Sequence, residues 1–163
     1  MSATTPASDL RQKLQDRTAS IGVVGLGYVG LPLLRAFFHA GFRVIGYDVD
    51  REKVEQLSRG ESYLKHLGEG FISEFAGSDR FVATTDSQPL HDADVIVLCV
   101  PTPLGTHGEP DMSYIVRSSE MVAKVLRKGH LITLESTTYP GTTRGDMLPI
   151  LEGTGLKAGE DFF

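Results

Sequence analysis

The stretch SIGVVGLGYVGLPLLRAFFHAGFRVIGYDVD, residues 20–50, decides the reading, and within it Gly25-Leu26-Gly27-Tyr28-Val29-Gly30. Three glycines in six residues separate a short β-rich run, IGVVG, from a run whose apolar residues recur at helical spacing. The second run ends on Gly41, a suitable helix C-cap, and carries Pro32 near its first turn, where a missing N–H costs little. FRVIGYD then reads as another strand, and Asp48 closes it eighteen residues after Gly30. A lone G-x-G-x-x-G says little. Here it follows a strand, opens a helix and has an acid at the end of the next strand, which together read as a dinucleotide cradle.

Each part has a mechanical reason. Gly25 permits the sharp strand-to-helix turn, Gly27 lacks the Cβ that would hold a diphosphate off the backbone, and Gly30 lets the helix pack closely on the sheet. The unpaired amides of the first helical turn and the helix dipole favour phosphate. Asp48 can accept from both hydroxyls of an adenosine ribose, and its charge repels a 2′-phosphate. Arg51 and Lys53 follow it, but so does a second acid, so the pattern favours NAD over NADP.

The alternation continues outward. DREKVEQLSRG reads as a helix closed by Gly60, and FVATTD, ADVIVLCV and HLITLES as three further strands, with helical runs over 69–76, 113–127 and 142–151 filling the gaps. The fourth strand is continuously apolar, as a strand covered on both faces must be. The pattern predicts an α/β chain, a Rossmann-like doubly wound parallel sheet with helices on both faces. Before it, residues 1–6 read as disordered and Ser8 or Asp9 as the cap of a short surface helix running to about Asp16. The organisation expected is therefore a tail with a short helix over 1–19 and a dinucleotide-binding domain over 20–163. The closing GLKAGEDFF reads as the start of a sixth strand, as if the chain were cut before a substrate domain.

Composition narrows the chemistry. A formal charge of −5 argues against nucleic acid and an anionic membrane surface as partners. No apolar run approaches a membrane span and the N-terminus lacks a signal-peptide core, so a cytoplasmic protein is expected. The single cysteine, Cys99, lies in the apolar fourth strand and reads as a small buried hydrophobe rather than a thiolate.

Two further clusters lie where the fourth and fifth strands end, at the edge where open parallel sheets bind ligands. Val100-Pro101-Thr102-Pro103 is a stiff turn whose Thr102 can donate to a ribose or phosphate. The loop over 105–111 holds His107 and Glu109, which could serve metal or acid–base chemistry, but its Gly/Pro content reads better as a solvated loop with Asp111 capping the next helix. No metal site is assigned. Glu135, Ser136, Thr137 and Thr138 form a polar cluster before Pro140-Gly141, and Thr142 or Thr143 is placed to cap another helix.

Together IGVVGLGYVGLPL, GYDVD, VPTPLGTHGEPDMSYI, LESTTYPGTT and GLKAGEDFF resemble the N-terminal domain of the nucleotide-sugar 6-dehydrogenases, the UDP-glucose/GDP-mannose dehydrogenase family, over about residues 21–163. ESTTYPGTT and GEPDMSY are most similar to the branch acting on UDP-N-acetylglucosamine and UDP-N-acetylmannosamine. The resemblance implies oxidation of a sugar C6 hydroxyl to a carboxylate with two NAD⁺ in succession, through a thiohemiacetal on a cysteine, in supply of surface polysaccharide. It implies that residues 25–30 hold the pyrophosphate, with Tyr28 and Val29 giving backbone contacts, and that Asp48 holds the ribose with Lys53 near the adenosine end. It also implies that Thr102 and Thr137 line the cofactor, Thr137 ordering a water near the reacting carbon, and that the full-length protein is a homodimer or higher oligomer. The family's catalytic glutamate, cysteine, lysine and asparagine have no match here, and Cys99 does not stand for the nucleophile. NAD binding without turnover is therefore expected. A non-catalytic NAD-binding module, or the first domain of a β-hydroxyacid or 6-phosphogluconate type of dehydrogenase, are the alternatives, although GEPDMSY and ESTTYPGTT would not be expected in the latter.

Overall fold

The structure, a computed structural model, describes residues 5–64, 70, 72–75, 77–105 and 108–163. Five strands form one parallel sheet: β1 (Ser20–Val24), β2 (Arg43–Tyr47), β3 (Phe81–Thr84), β4 (Val95–Leu98) and β5 (Leu131–Leu134), in the order β3-β2-β1-β4-β5. The order reverses between β2 and β4 around β1, which opens a crevice beyond the carboxyl end of the central strand. β1 and β4 are buried along their whole length, because both faces of the sheet are covered.

Successive strand residues point to opposite faces, and the core divides accordingly. Ile21, Val23, Val44, Val95 and Val97 pack with helix α2 (Gly30–His39) and with Leu57 of helix α3 (Arg51–Ser58). Val24, Ile45, Ile96 and Leu98 pack on the other side with helix α4 (Ser113–Val125) and with Leu151 of helix α5 (Leu148–Glu152). Each helix thus buries one stripe against one face of the sheet.

Three local readings are corrected. The first helix, α1, spans Pro6–Gln15, and Thr5 caps it through a reciprocal bond with Ser8, so ordered chain begins before Ser8. Pro6 suits the first helical position and brings the start forward. Most of α1 is exposed as expected, but Leu10 is buried in the core and Lys13 reaches Asp94 at 3.0 Å. Secondly, the helix expected over 69–76 falls partly outside the described residues, and residues 72–75 make a turn, Phe75 N–H donating to the Ile72 carbonyl at 2.9 Å. The Phe75 ring sits 4.9 Å from those of Phe38 and Phe81, so burial of a large side chain sets this segment. Thirdly, the helix expected over 142–151 starts as a wide π turn, Thr143–Met147, before α5. Pro149 has no N–H for an α-type bond and crowds the preceding turn, which widens it.

At the far edge, Phe163 N–H donates to the His130 carbonyl at 2.8 Å and Ile132 N–H to the Phe163 carbonyl at 2.6 Å. These two bonds follow the parallel pattern, so Phe163, in the segment read as the start of a further strand, lies alongside β5.

His130 closes the opposite end of the sheet. It is fully buried, its Nδ1 accepting from Arg127 N–H at 3.3 Å and its Nε2 facing the His91 carbonyl at 3.2 Å. These partners fix the neutral Nε2–H tautomer. Burial, and after it the Arg127 charge, push its pKa down to about 4. The unfolded chain, with a histidine near pH 6.5, therefore takes up the proton first as pH falls. Stability is fully present above about pH 6.5 and is lost as pH falls towards 4, by about 2–3 kcal/mol. Asp94, held below the usual carboxylate range by Ser20 N–H and Lys13 against the cost of its burial, weakens only below about pH 3.8. Urea unfolding midpoints measured from pH 7.5 to 4.5 should fall across that range; a flat profile would exclude this role for His130.

Candidate functional site

The glycine turn is built by close approach. Gly25 has φ +91° and still donates to the Tyr47 carbonyl at 2.8 Å, so it ends β1 and reverses the chain at once. A Cβ there would stand 2.5 Å from the Cys99 carbonyl oxygen, and a Cβ on Gly30 only 1.8 Å from the Gly25 carbonyl oxygen. Only glycine at both positions lets α2 begin against the end of β1 and β4. A Cβ on Gly27 meets nothing within 4 Å, so the backbone there faces open space. Tyr28 and Val29 beside it are 74% and 57% exposed.

The two ends of α2 are treated differently. Its N-terminus has no side-chain cap. Its C-terminal region is gripped by two guanidinium groups: Arg17 donates to the Ala40 carbonyl at 2.5 Å, and Arg80 to those of Phe38 and Phe42 at 3.1 Å each. The rings of Phe42 and Phe38 lie beneath the same two arginines. Cations thus satisfy the negative end of the helix dipole, while the positive end points at the open space over Gly27.

Asp48 stands beside that end, buried. Its Oδ2 accepts from Leu26 N–H at 2.8 Å and lies 3.4 Å from Lys53 Nζ, and its Oδ1 accepts from Asp50 N–H at 2.9 Å. Asp50 in turn caps α3 through Glu52 and Lys53 N–H. Asp48 is therefore fixed to the glycine turn and to the start of α3 together. A carboxylate offers about four acceptor positions, so capacity remains for a ribose hydroxyl. A residue not foreseen from the sequence joins this corner: the Tyr63 hydroxyl donates to the Leu26 carbonyl, and Lys53 Nζ lies 5.9 Å from the centre of its ring. Tyr63 is 37 residues from Leu26, so no local pattern reveals it.

The loops after β4 and β5 share this edge. Thr102 is half-buried, and after it Leu104 pairs antiparallel with Pro110 and Gly105 N–H donates to the Glu109 carbonyl at 2.7 Å. His107 lies outside the described residues. Asp111 accepts from Ser113 N–H at 2.9 Å, so it does hold the start of α4, from one residue before the N-cap Met112. Among the described residues no cluster of three His, Cys, Asp or Glu is placed to hold a metal. Ser136 Oγ donates to the Val100 carbonyl at 2.8 Å and ties the two strand ends together, which leaves Thr137 exposed beside it. Thr142 is buried and its hydroxyl turns back to the Tyr139 carbonyl at 2.9 Å, so it caps no amide. Cys99 is buried against the glycine turn; burial, and then the Glu135 charge, push its thiol up to about 11. It is no nucleophile at neutral pH.

An open backbone at Gly27, an uncapped helix start and a buried aspartate beside them fit the diphosphate and ribose of a dinucleotide. Residues 19–162 match the NAD binding domain of the UDP-glucose/GDP-mannose dehydrogenase family. The chain belongs to that family. It is 39% identical over 144 residues to UDP-N-acetyl-D-glucosamine 6-dehydrogenase of Pseudomonas aeruginosa, which covers 88% of this chain and 33% of that protein. It is 36% identical over 145 residues to UDP-N-acetyl-D-mannosamine dehydrogenase of Pyrococcus horikoshii, covering 88% of this chain and 34% of that one. Among solved structures, a ternary complex of GDP-mannose dehydrogenase from Pseudomonas aeruginosa superposes with a TM-score of 0.83 at 32% identity, over 88% of this chain and 34% of the other. The chain thus spans about a third of the length of these relatives. Membership of this family, rather than the β-hydroxyacid or 6-phosphogluconate type, decides between the dehydrogenase readings. No helix among the described residues is long and apolar enough to cross a membrane.

Proposed function

We propose that this chain holds NAD for a nucleotide-sugar 6-dehydrogenase acting on a UDP-N-acetylhexosamine, UDP-N-acetylglucosamine or UDP-N-acetylmannosamine. The observation that carries the proposal is the uncapped start of α2 facing open space at Gly27, with Asp48 fixed beside it. In this reading the domain is residues 20–163, preceded by the short α1 segment over 1–19, and a substrate domain belongs to the whole enzyme. NAD, when bound, supplies the hydride acceptor. Gly25, Gly27 and Gly30 shape the turn against the diphosphate, and Tyr28 and Val29 contribute backbone contacts. Asp48 accepts from the ribose diol, with Lys53 near the adenosine end. Thr102 and Thr137, in neighbouring loops at the same edge, face the nicotinamide half, Thr137 ordering a water near the reacting carbon. The whole enzyme is a homodimer or higher oligomer and works in the cytoplasm, where NAD and UDP-sugars are both available.

Two charges set the coenzyme preference. In this reading Asp48 and Asp50 repel a 2′-phosphate on the ribose, and Lys53 is already turned to Asp48. Titration calorimetry of the 163-residue chain with NAD⁺ and NADP⁺ tests the proposal. NAD⁺ should bind and NADP⁺ should bind at least about tenfold more weakly, because bringing a phosphate beside a buried carboxylate costs more than about 1.4 kcal/mol. Addition of UDP-N-acetylglucosamine with NAD⁺ should give no NADH. Tighter NADP⁺ binding would overturn the role of Asp48, and turnover would overturn the expectation of an inactive chain.

A further inference from the structure

Leu26 sits at the centre of the glycine turn and is held at three points. Its side chain is fully buried in the core. Its N–H is taken by Asp48 Oδ2 at 2.8 Å. Its carbonyl is taken by the hydroxyl of Tyr63, which enters from the segment after α3. The last contact bears on the neighbouring residue. The Leu26 carbonyl and the Gly27 N–H belong to one planar trans peptide, so they point in opposite directions. Whatever fixes the carbonyl fixes the line along which the Gly27 amide donates. A hydrogen bond at the carbonyl also polarises the peptide and strengthens its N–H as a donor.

We propose that Tyr63 is a positioning residue of the dinucleotide site, aiming the Gly27 amide at the diphosphate through the Leu26 carbonyl. Burial raises the phenol above its ordinary range, and the charges of Asp48 and Asp50 raise it further, so the hydroxyl is a donor at any physiological pH. The ring has a second contact. Lys53 Nζ stands over it while also reaching Asp48, which ties the segment carrying Tyr63 to the ribose side of the site. The proposal rests on the cofactor reading above, since an aimed amide matters only where phosphate binds.

Tyr63→Phe isolates the hydroxyl, keeping the ring and its contact with Lys53; Tyr63→Leu removes both. Three quantities are read on the wild type and both variants: the NAD⁺ dissociation constant, the melting temperature, and the hydrogen-exchange rates of the Leu26 and Gly27 amides in the free protein. Tyr63→Phe should weaken NAD⁺ about five- to tenfold, the loss of one hydrogen bond. It should speed exchange at Leu26 and Gly27 alone and leave the melting temperature nearly unchanged. Tyr63→Leu should weaken NAD⁺ further. Wild-type affinity and exchange in Tyr63→Phe would overturn the proposal. A lowered melting temperature with faster exchange throughout the sheet would overturn it in favour of general support of the fold. A wild-type chain that binds no NAD⁺ would refute the cofactor reading instead, and the exchange rates would still decide whether Tyr63 orders the turn.

Discussion

Gly30→Ala is expected to cost about 3–5 kcal/mol of folding stability and to abolish NAD⁺ binding, whereas Gly27→Ala should melt like the wild type and lose binding alone. The two glycines stand three residues apart in one motif, yet their surroundings differ. A Cβ on Gly30 would lie 1.8 Å from the Gly25 carbonyl oxygen, 3.0 Å from its carbon and 3.1 Å from Cys99 Cβ. Two of those atoms are backbone at the end of the central strand, and neither can turn aside as a flexible side chain could. Relief requires α2 to slide away from β1 and β4, which opens the core around Leu31 and Leu34, both fully buried. For a chain of this size that corresponds to a fall of roughly 6–20 °C in melting temperature. Gly27 has no such neighbour, nor does it occupy the left-handed region. A methyl group there occupies only the space a diphosphate would use, and affinity should fall at least about tenfold with the fold intact. Thermal melts followed by circular dichroism, paired with calorimetry, separate the two. Equal loss of stability in both variants would show that Gly27 also serves the fold and would remove the argument for an open cradle.

The contrast explains what could be read from the sequence. The strand, turn and helix around residues 20–50 were legible because their constraints are local: glycine where backbones meet, a short β-rich apolar run followed by apolar residues at helical spacing, and an acid at a strand end. The extended pairing of Phe163 beside β5 was legible for the same reason. What escaped was assembled from afar. Arg17 and Arg80 close the same end of α2 from opposite sides of it in sequence, and nothing near residue 40 announces either. Tyr63 reaches the turn across β2 and α3. The start of α1 is not legible because Thr5, Ser8 and Asp9 are all competent caps, and Pro6 and the reciprocal Thr5–Ser8 bonds select Thr5. Residues 72–75 turn rather than coil because Phe75 must reach Phe38 and Phe81, a tertiary demand that overrides helical spacing.

Asp48→Ala should weaken NAD⁺ by about ten- to a hundredfold, and Asp48→Asn should recover little of that loss. The magnitude follows from the one acceptor position that Leu26 N–H, Asp50 N–H and Lys53 leave free on the carboxylate, a single charged contact to the ribose diol worth about 1.5–3 kcal/mol. The failure of asparagine follows from geometry. Both carboxylate oxygens already accept from backbone N–H groups, Oδ2 from Leu26 at 2.8 Å and Oδ1 from Asp50 at 2.9 Å. An amide has one oxygen, so its NH₂ must face one of those two donors. If it faces Leu26, the glycine turn loses an anchor; if it faces Asp50, the start of α3 does. Either way one N–H loses its acceptor, and where it is the buried N–H of Leu26 the folded protein also loses about 1–3 kcal/mol. Asparagine also leaves Lys53, 3.4 Å from Oδ2, without its counter-charge. That carries a second consequence: with the carboxylate gone and Lys53 released, discrimination against the 2′-phosphate should narrow even as NAD⁺ binding falls. Calorimetry with NAD⁺ and NADP⁺ on both variants measures affinity and preference together. Affinity within a factor of three of the wild type in Asp48→Ala would mean that this carboxylate serves only to staple the turn to α3 and does not receive the ribose.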